Sequence, residues 1–214
     1  GSHTYIATAT DDAGNSASAT HTWVVDTTDP AVSITDTPAD PTNSDAADMT
    51  VTSSDGGSGL ASTTCTVDDV AANCDDDLTG LSDGSHTMAA TATDNAGNSA
   101  SASYTWLVDT TDPAVSISDA PSDPSSSDAA DFTVTSSDGG SGLASITCDL
   151  DGAAQADCGG VASGLADGSH TFTATATDDV GNDATASFTW VVDTTDPAAS
   201  IDTQPANNNN DNDA

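Results

Sequence analysis

One stretch of sequence, GSHTMAATATDNAGNSASASYTWLVDTTDP, occurs three times in nearly identical form, with copies that begin at Gly1, Gly84 and Gly168. Self-similarity at a fixed period is the signature of a tandem array, in which one folding unit is repeated along the chain. The repeat therefore predicts four segments. Residues 1–29 form the C-terminal part of one unit, residues 30–112 and 113–196 are complete units, and residues 197–214 begin a further unit.

The charged side chains carry almost entirely one sign. The 214 residues contain no Lys or Arg and 35 acidic residues, all of them Asp, for a formal net charge of -35. Salt bridges from Lys or Arg therefore cannot stabilise the fold, and nucleic acid and anionic membranes would repel the chain. No apolar run approaches the length of about 18 residues that a membrane span needs, so we expect no membrane insertion in this segment. Metal cations from solution are the first candidates for counter-charge. Whether the acidity reflects a high-salt habitat stays open.

The four cysteines form two pairs at matching places of the complete units, Cys65 with Cys74 and Cys148 with Cys158. Regular pairing in a repeat favours a disulfide within each unit, and disulfides persist outside the cytoplasm. A metal site made of cysteine is the alternative, but two thiols per unit are too few for a closed zinc site with four ligands.

Apolar and polar residues alternate with a period of two, which is typical of β-strands. Met88 and Trp106 are predicted to face inward. The segments with this pattern in the first complete unit are 31–34, 49–53, 87–93 and 104–108. Turn signals rich in Asp, Asn and Gly separate them at 55–59, 83–84 and 94–98. About seven short strands per unit predict an all-β fold, in which immunoglobulin-like antiparallel sandwiches follow one another as beads on a string.

The second complete unit carries a recognisable order of motifs. The linker VDTTDP leads to C-x-L-D-G-x-x-x-x-x-C (148–158), then to GLADGSHTFTATATDDVGN (164–182) and to a closing W-x-V-D (190–193). This order resembles the bacterial Ig-like repeats of large secreted and surface proteins, and similar phrases occur in Bap-like proteins, RTX-type adhesin stalks and HYR-type modules. The resemblance covers the whole chain and implies an extracellular or cell-surface location.

The acidic turns are candidates for a calcium site. In an immunoglobulin-like sandwich the incoming linker and two loops meet at one pole of the domain, and Ca²⁺ takes 6 to 8 oxygen ligands of the kind that such loops supply. The resemblance to calcium-rigidified adhesin stalks implies the same ion. The alternative is that these residues only form turns, because Asp and Asn side chains also stabilise turns by hydrogen bonds to the backbone. The candidate ligands are Asp26, Asp29, Asp55, Asp94 and Asn98 for the first complete unit, and Asp109, Asp112, Asp138, Asp178 and Asn182 for the second.

Other polar residues point to no chemistry. We expect His86 and His170 to be structural, and the run at 75–77 to be a solvated loop. A nucleophile elbow would need a second Gly where Leu60 stands, and no repeat offers a separate Ser, His and acid set, so catalysis is not expected.

Two classes of function fit this sequence. One is a repeat segment of an extracellular stalk, adhesin or filament, with neighbouring repeats of the same chain as its partners, possible self-association into fibres, and Ca²⁺ at the junctions between domains. The other is an array of binding modules that grips polysaccharide or a partner protein. Sugar sites usually expose aromatic rings, whereas the few aromatic residues here fall on the predicted core face, which favours the stalk. O-linked glycans on outward Thr and Ser are a third possibility.

Overall fold

The computed structural model describes residues 1–75 and 77–202. Within these ranges every regular element is a β-strand, and no helix is long and apolar enough to cross a membrane. The predicted all-β fold is confirmed. The chain forms two compact units, of which the first comprises Gly1–Ala114 with Ser136–Ser145 and Ala176–Ala184, and the second comprises the rest. Most of the expected beginning of a further repeat, from residue 203 onward, lies outside the described residues, and the repeat boundaries stay a prediction.

The strands follow the repeats of the sequence. Residues before the first complete repeat form a hairpin of β1 (Ser2–Thr10) and β2 (Ser16–Val24). The first complete repeat contains β3 (Ala31–Thr35), β4 (Thr50–Ser54), β5 (Leu60–Val67), β6 (Val70–Ala72), β7 (Gly84–Asp94) and β8 (Ser99–Val108). The second contains β9 (Ala114–Ser118), β10 (Thr133–Ser137), β11 (Leu143–Leu150), β12 (Ala153–Gln155), β13 (Gly168–Asp178) and β14 (Asp183–Val192).

Each complete repeat contains a two-stranded sheet and a four-stranded sheet. In the first repeat β3 pairs with β4, and the larger sheet has the order β6-β5-β7-β8 with antiparallel pairing throughout. The second repeat has the same arrangement, with β9 beside β10 and the order β12-β11-β13-β14. The described residues thus give six strands per repeat where the sequence predicted about seven. The segment between β3 and β4 contributes only isolated bridges such as Thr42 with Val108, because its prolines lack the N–H that a continuous ladder requires.

The core lies between the two sheets of each repeat. In the first, the inward residues of β7 and β8 are buried as the alternation predicted, with Ala90 and Val108 at 0 % exposure and Trp106 at 1 %. Val32 and Val51 of the small sheet pack against this cluster. The second repeat places Phe132 and Phe172 where the first has two methionines, and their rings stack with centroids 4.1 Å apart.

Disulfides close the predicted hairpins. Cys65 bonds to Cys74, and Cys148 bonds to Cys158, each within its own repeat. Each bond fastens the segment after the short β5–β6 or β11–β12 hairpin back onto its longer strand. The predicted pairing is confirmed, and the structure holds no free cysteine among the described residues.

Candidate metal centres

Two groups of three aspartates gather at the ends of strands. The first group is Asp26, Asp55 and Asp94, and the second is Asp109, Asp138 and Asp178. In each group the ligand oxygens, one from each residue, lie within 4.8 Å of one another. Each group takes one residue from the VDTTDP linker, one from the loop after β4 or β10, and one from the end of β7 or β13. Both groups lie within the first compact unit.

The aspartate at the end of β7 folds the loop that follows it. Asp94 Oδ1 accepts hydrogen bonds from the backbone N–H of Ala96 (2.9 Å) and Asn98 (2.8 Å), and Oδ2 accepts one from Asn98 Nδ2 (2.7 Å). Asp178 is held in the same way by Val180 and Asn182. Because the carboxylate can reach N–H groups two and four residues ahead, the D-x-x-G-N sequence fixes the position of its own acid.

The glycine-rich loop after β4 or β10 repeats this geometry. Asp138 Oδ2 accepts hydrogen bonds from the N–H of Gly140 (3.1 Å) and of Gly142 (2.8 Å). In the first repeat Asp55 makes the equivalent bonds, at the same distances, to its own loop. The sequence SSDGGSGLAS, which both repeats share, therefore encodes a turn that presents one carboxylate toward the linker.

The linker aspartate contacts that loop directly. Asp109 Oδ2 accepts a hydrogen bond of 2.6 Å from the N–H of Ser141, and Asp26 accepts an equivalent bond from Ser58. This contact leaves no room for a side chain at Gly140, the residue before Ser141. A Cβ added to Gly140 would lie 2.4 Å from the carboxylate of Asp109. Glycine is therefore required at this position by close approach to the linker and not by backbone conformation.

Burial makes the clustered charges costly unless they are neutralised. Asp109 is 1 % exposed, and Asp94 and Asp178 are each 2 % exposed. Burial raises the pKa of Asp178, but hydrogen bonds from Asn182 and Val180 outweigh this effect and hold its pKa below the usual value. The same balance, with Asn98, lowers the pKa of Asp94. The turns thus keep these two acids ionised, and the chain has no Lys or Arg to neutralise them.

The residues present fit a calcium ion. Oxygens bound to one Ca²⁺ at about 2.4 Å can be at most about 4.8 Å apart, which matches the mutual distances in both groups. The glycine that lets Asp109 approach maintains this spacing. Ser141 Oγ is buried beside the linker and has no hydrogen-bond partner among the described residues, so it is a further oxygen without a role in the fold. If Ca²⁺ binds, Asp109, Asp138 and Asp178 would hold it at one centre, and Asp26, Asp55 and Asp94 at the other.

Some of the predicted ligands do not belong to either group of aspartates. Asp29 and Asp112 stand outside the two groups. Asn98 and Asn182 direct Nδ2 to the carboxylate of the turn and to a backbone oxygen of the linker, at Asp26 and Asp109 respectively. These amides orient the carboxylates and connect the turn to the linker. Sequence reasoning missed Ser58, Ser141 and the glycine before each, although their identical recurrence in both repeats was a signal for them.

The histidines of the DGSHT turns hold the hairpin tips. His86 Nδ1 lies 2.7 Å from Asp68 Oδ2, and its Nε2 lies 2.7 Å from the carbonyl oxygen of Ser82. His170 has the same two kinds of partner. Because both ring nitrogens face acceptors, the arrangement favours the doubly protonated ring. The hydrogen bond to Ser82 first, and then the one to Asp68, raise the pKa of His86. Asp75 and Asp77 are exposed, and the residue between them lies outside the described residues.

Comparison with protein families gives two matches along the chain. A family described as bacterial Ig-like domain matches residues 111–194, and a second, described as bacterial Ig-like domain (group 3), matches residues 72–139. Together the two matches span 72–194. No curated protein matches the chain.

Solved structures match the chain at low identity and with low TM-scores. A structure of Clostridium thermocellum CbhA fibronectin(III)-like modules is 16 % identical, with a TM-score of 0.38, and the match covers 76 % of this chain and 94 % of that one. A protocadherin gammaB7 EC3-6 cis-dimer structure is 18 % identical, with a TM-score of 0.36 and coverage of 90 % and 58 %. A Ca²⁺-stabilized adhesin of an Antarctic bacterium, described as helping it reach out and bind ice, is 18 % identical, with a TM-score of 0.35 and coverage of 89 % and 56 %. The chain spans a little over half the length of the last two.

Proposed function

We propose, from the premise that this chain belongs to the bacterial Ig-like domains, that it is a repeat segment of an extracellular stalk, adhesin or filament whose linkers are stiffened by Ca²⁺. Ig-like domains of this kind fit an extracellular repeat or adhesion module and are typically not catalytic. The two disulfides are consistent with a location outside the cytoplasm. The repeats would follow one another as beads, with 30–112 and 113–196 as successive units.

One observation supports the calcium part of this proposal above the others. Three carboxylates, one from the linker and two from separate loops, converge to within 4.8 Å in a chain that has no Lys or Arg. Without a cation, repulsion between like charges opposes the approach of the linker aspartate to the two loop aspartates. A bound cation would reverse the sign of that interaction. The linker would then be fastened to the loops, and its freedom to bend would fall.

The alternative of an array of binding modules has less support. Sugar-binding faces usually present aromatic rings to solvent. Among the described residues of the two complete repeats, Trp106 and Trp190 are buried, and Tyr104 donates its hydroxyl to the carbonyl of Pro38. The large hydrophobic side chains exposed on these repeats are aliphatic. These features favour a structural role for the complete repeats.

The proposal is tested by calorimetric titration of the full chain with CaCl₂. We expect two sites in the wild type and one in Asp138→Asn, a change that removes one charge while it keeps an acceptor for the glycine loop. Asp11→Asn is the matched control, because Asp11 forms the same turn as Asp178 but belongs to neither group. At a free Ca²⁺ concentration one hundred times the dissociation constant, binding stabilises the folded state by about 2.7 kcal/mol.

General screening of the large negative charge must be separated from binding at a site. Any salt weakens repulsion among exposed aspartates. NaCl at matched ionic strength should therefore raise the melting temperature less than CaCl₂, and X-ray scattering should show a longer, stiffer chain only with Ca²⁺. Titrations without heat of binding, together with melting and scattering curves that respond equally to both salts, would overturn the proposal and leave the acidic turns as ordinary surface.

A further inference from the structure

A further carboxylate, which belongs to neither acidic group, holds the linker by hydrogen bonds. Asp83, which directly precedes β7, accepts hydrogen bonds at Oδ1 from the N–H (2.9 Å) and Oγ1 (2.7 Å) of Thr110. Its Oδ2 accepts a third hydrogen bond from Oγ1 of Thr111. These three bonds, which we call the linker clamp, use both oxygens of Asp83 and bind the two threonines of VDTTDP.

Strand register explains why Asp83 stands at this place. Gly84 pairs with Val108 at the end of the β7–β8 ladder, so the residues just outside the ladder, Asp83 and Asp109, are brought side by side. Asp83 is exposed and directs its carboxylate along the outgoing chain. The hairpin itself therefore presents an acceptor to the first residues that leave it.

The second repeat forms the same clamp. Asp167 Oδ1 accepts hydrogen bonds from the N–H (2.8 Å) and Oγ1 (2.7 Å) of Thr194, and Oδ2 accepts one from Oγ1 of Thr195 (2.7 Å). Here the adjacent linker aspartate, Asp193, belongs to neither acidic group. The clamp therefore forms without an assembled group, from the repeat that precedes the linker.

The linker at 109–112 is held by several contacts at once. While Asp83 binds its threonines, Asn182 Nδ2 donates to the carbonyl oxygens of Asp109 (3.0 Å) and Thr111 (3.4 Å), and the N–H of Ser141 donates to the Asp109 carboxylate. Asp109 thus lies between a clamp that fixes the backbone just after it and loops that carry the other two acids. Movement of Thr110 would carry Asp109 away from Asp138 and Asp178.

We propose that Asp83 is a positioning residue for the acidic group of Asp109, Asp138 and Asp178, and that it fixes the linker backbone so that Asp109 is in place before a cation arrives. This inference rests on the proposed calcium function for its effect on affinity, although the clamp itself requires no ion. Residues that orient a metal ligand without touching the metal themselves contribute about 10-fold to 100-fold to metal affinity. Hydrogen bonds from Thr111 and Thr110 also lower the pKa of Asp83, so its carboxylate stays ionised at neutral pH and can accept the bonds of the clamp.

The test compares Asp83→Ala, Asp83→Asn and Asp167→Ala in the full chain, each in an Asp55→Asn background that weakens the other acidic group. Calorimetric titration with CaCl₂ gives the affinity, and amide hydrogen exchange of Thr110, measured by NMR in calcium-free protein, gives the order of the linker. We expect Asp83→Ala to lower the affinity at least about 10-fold and to speed exchange at Thr110. Asp83→Asn, which keeps an acceptor for Thr110, should retain most of both properties. Asp167→Ala should leave both unchanged.

Separate outcomes would overturn separate claims. Unchanged exchange at Thr110 in Asp83→Ala would refute the clamp. Faster exchange with unchanged affinity would refute the positioning role, and an equal loss of affinity in Asp83→Asn and Asp83→Ala would show that the charge of Asp83 acts on the ion directly. If the protein with an intact Asp83 binds no Ca²⁺, the proposed function fails, while exchange at Thr110 still decides whether the clamp exists.

Discussion

Replacement of Gly140 by alanine tests the contact between the linker and the glycine-rich loop. The added Cβ would lie 2.4 Å from the carboxylate carbon of Asp109, far inside the distance at which such atoms can approach. Because Asp109 is buried, its side chain must rotate away and lose the 2.6 Å hydrogen bond from the N–H of Ser141. The neighbouring Gly139 is the matched control, since a Cβ there meets nothing within 4 Å.

The size of the effect follows from two opposing contributions. A hydrogen bond to a charged group contributes about 1.5–3 kcal/mol to stability. Replacement of glycine by alanine at a compatible backbone position stabilises by about 0.4–1 kcal/mol, because the unfolded chain loses freedom. Neither Gly139 nor Gly140 has a positive φ, so this gain applies to both variants and cancels when they are compared. The expected difference in unfolding free energy is therefore about 1.5–3 kcal/mol.

Thermal unfolding of the two variants, followed by tryptophan fluorescence in calcium-free buffer, measures this difference. For domains of this size it corresponds to a gap of at least about 6 °C, with Gly140→Ala melting lower than Gly139→Ala. Titration with CaCl₂ should then show weaker binding only in Gly140→Ala, because Asp109 has left the group. Equal melting temperatures and equal affinities would mean that Asp109 does not require this close approach, and would refute the geometry of the site.

Three further perturbations address the rest of the fold. Because the pKa of His86 is raised in the folded state, its contribution to stability is complete below about pH 6.5 and is lost as the pH rises through the raised value, whereas the contribution of Asp68, whose pKa is lowered, is lost only in acid; His170 contributes in the same way, so melting curves should show this alkaline loss in the wild type, a smaller loss in His86→Gln, and none when His170→Gln is added. Removal of the bond between Cys65 and Cys74 by a double change to alanine should lower the unfolding free energy by about 2.7 kcal/mol in a loop-entropy model, and a urea midpoint equal to that of the oxidised wild type would contradict it. Phe172→Ala removes one ring of the stacked pair and should cost about 3–5 kcal/mol in urea unfolding, so a loss under 1 kcal/mol would mean that the pair is not packed as described.

The strands and the core were predictable because their pattern is local. Alternation placed Met88, Ala90 and Trp106 on one face, and all three are buried in the structure. The cysteine pairs were predictable for a similar reason, since each closes a short hairpin. The predicted number of about seven strands exceeds the six that the described residues of each repeat form, and between β3 and β4, where Pro38 and Pro41 interrupt the chain, the structure has only isolated bridges.

The acidic groups were predictable only in outline. The arrangement of an immunoglobulin-like sandwich predicted that the linker and two loops meet at one pole. It did not predict which carboxylate of the linker points inward. Asp109 is buried in a group while Asp112, three residues later, is exposed and outside it. The linker clamp was missed altogether, because it joins Asp83 to residues 27 and 28 positions further along the chain. Such contacts depend on strand register, which the alternation of residues does not reveal.

The turns offer one explanation for why every acidic residue of this chain is aspartate and none is glutamate. Asp11, Asp55, Asp94, Asp138 and Asp178 each accept hydrogen bonds from the N–H groups two and four residues ahead, at distances between 2.8 and 3.1 Å. Glutamate has one more methylene and an additional rotatable bond, so it would hold the same turn less well. Asp11 does so in an exposed hairpin outside both acidic groups, which means that the turn needs no cation in order to fold.

Turn formation and cation binding are therefore successive uses of the same carboxylate. An ionised carboxylate has about four lone-pair positions, and the turn occupies two or three of them. When the linker brings a third aspartate against two such turns, the remaining positions and the uncompensated charge become available to an ion. It follows that calcium should act on the linker more than on the sandwich. Its removal would restore the repulsion between Asp109 and the two loop aspartates, while the strands, the disulfides and the turns themselves stay in place.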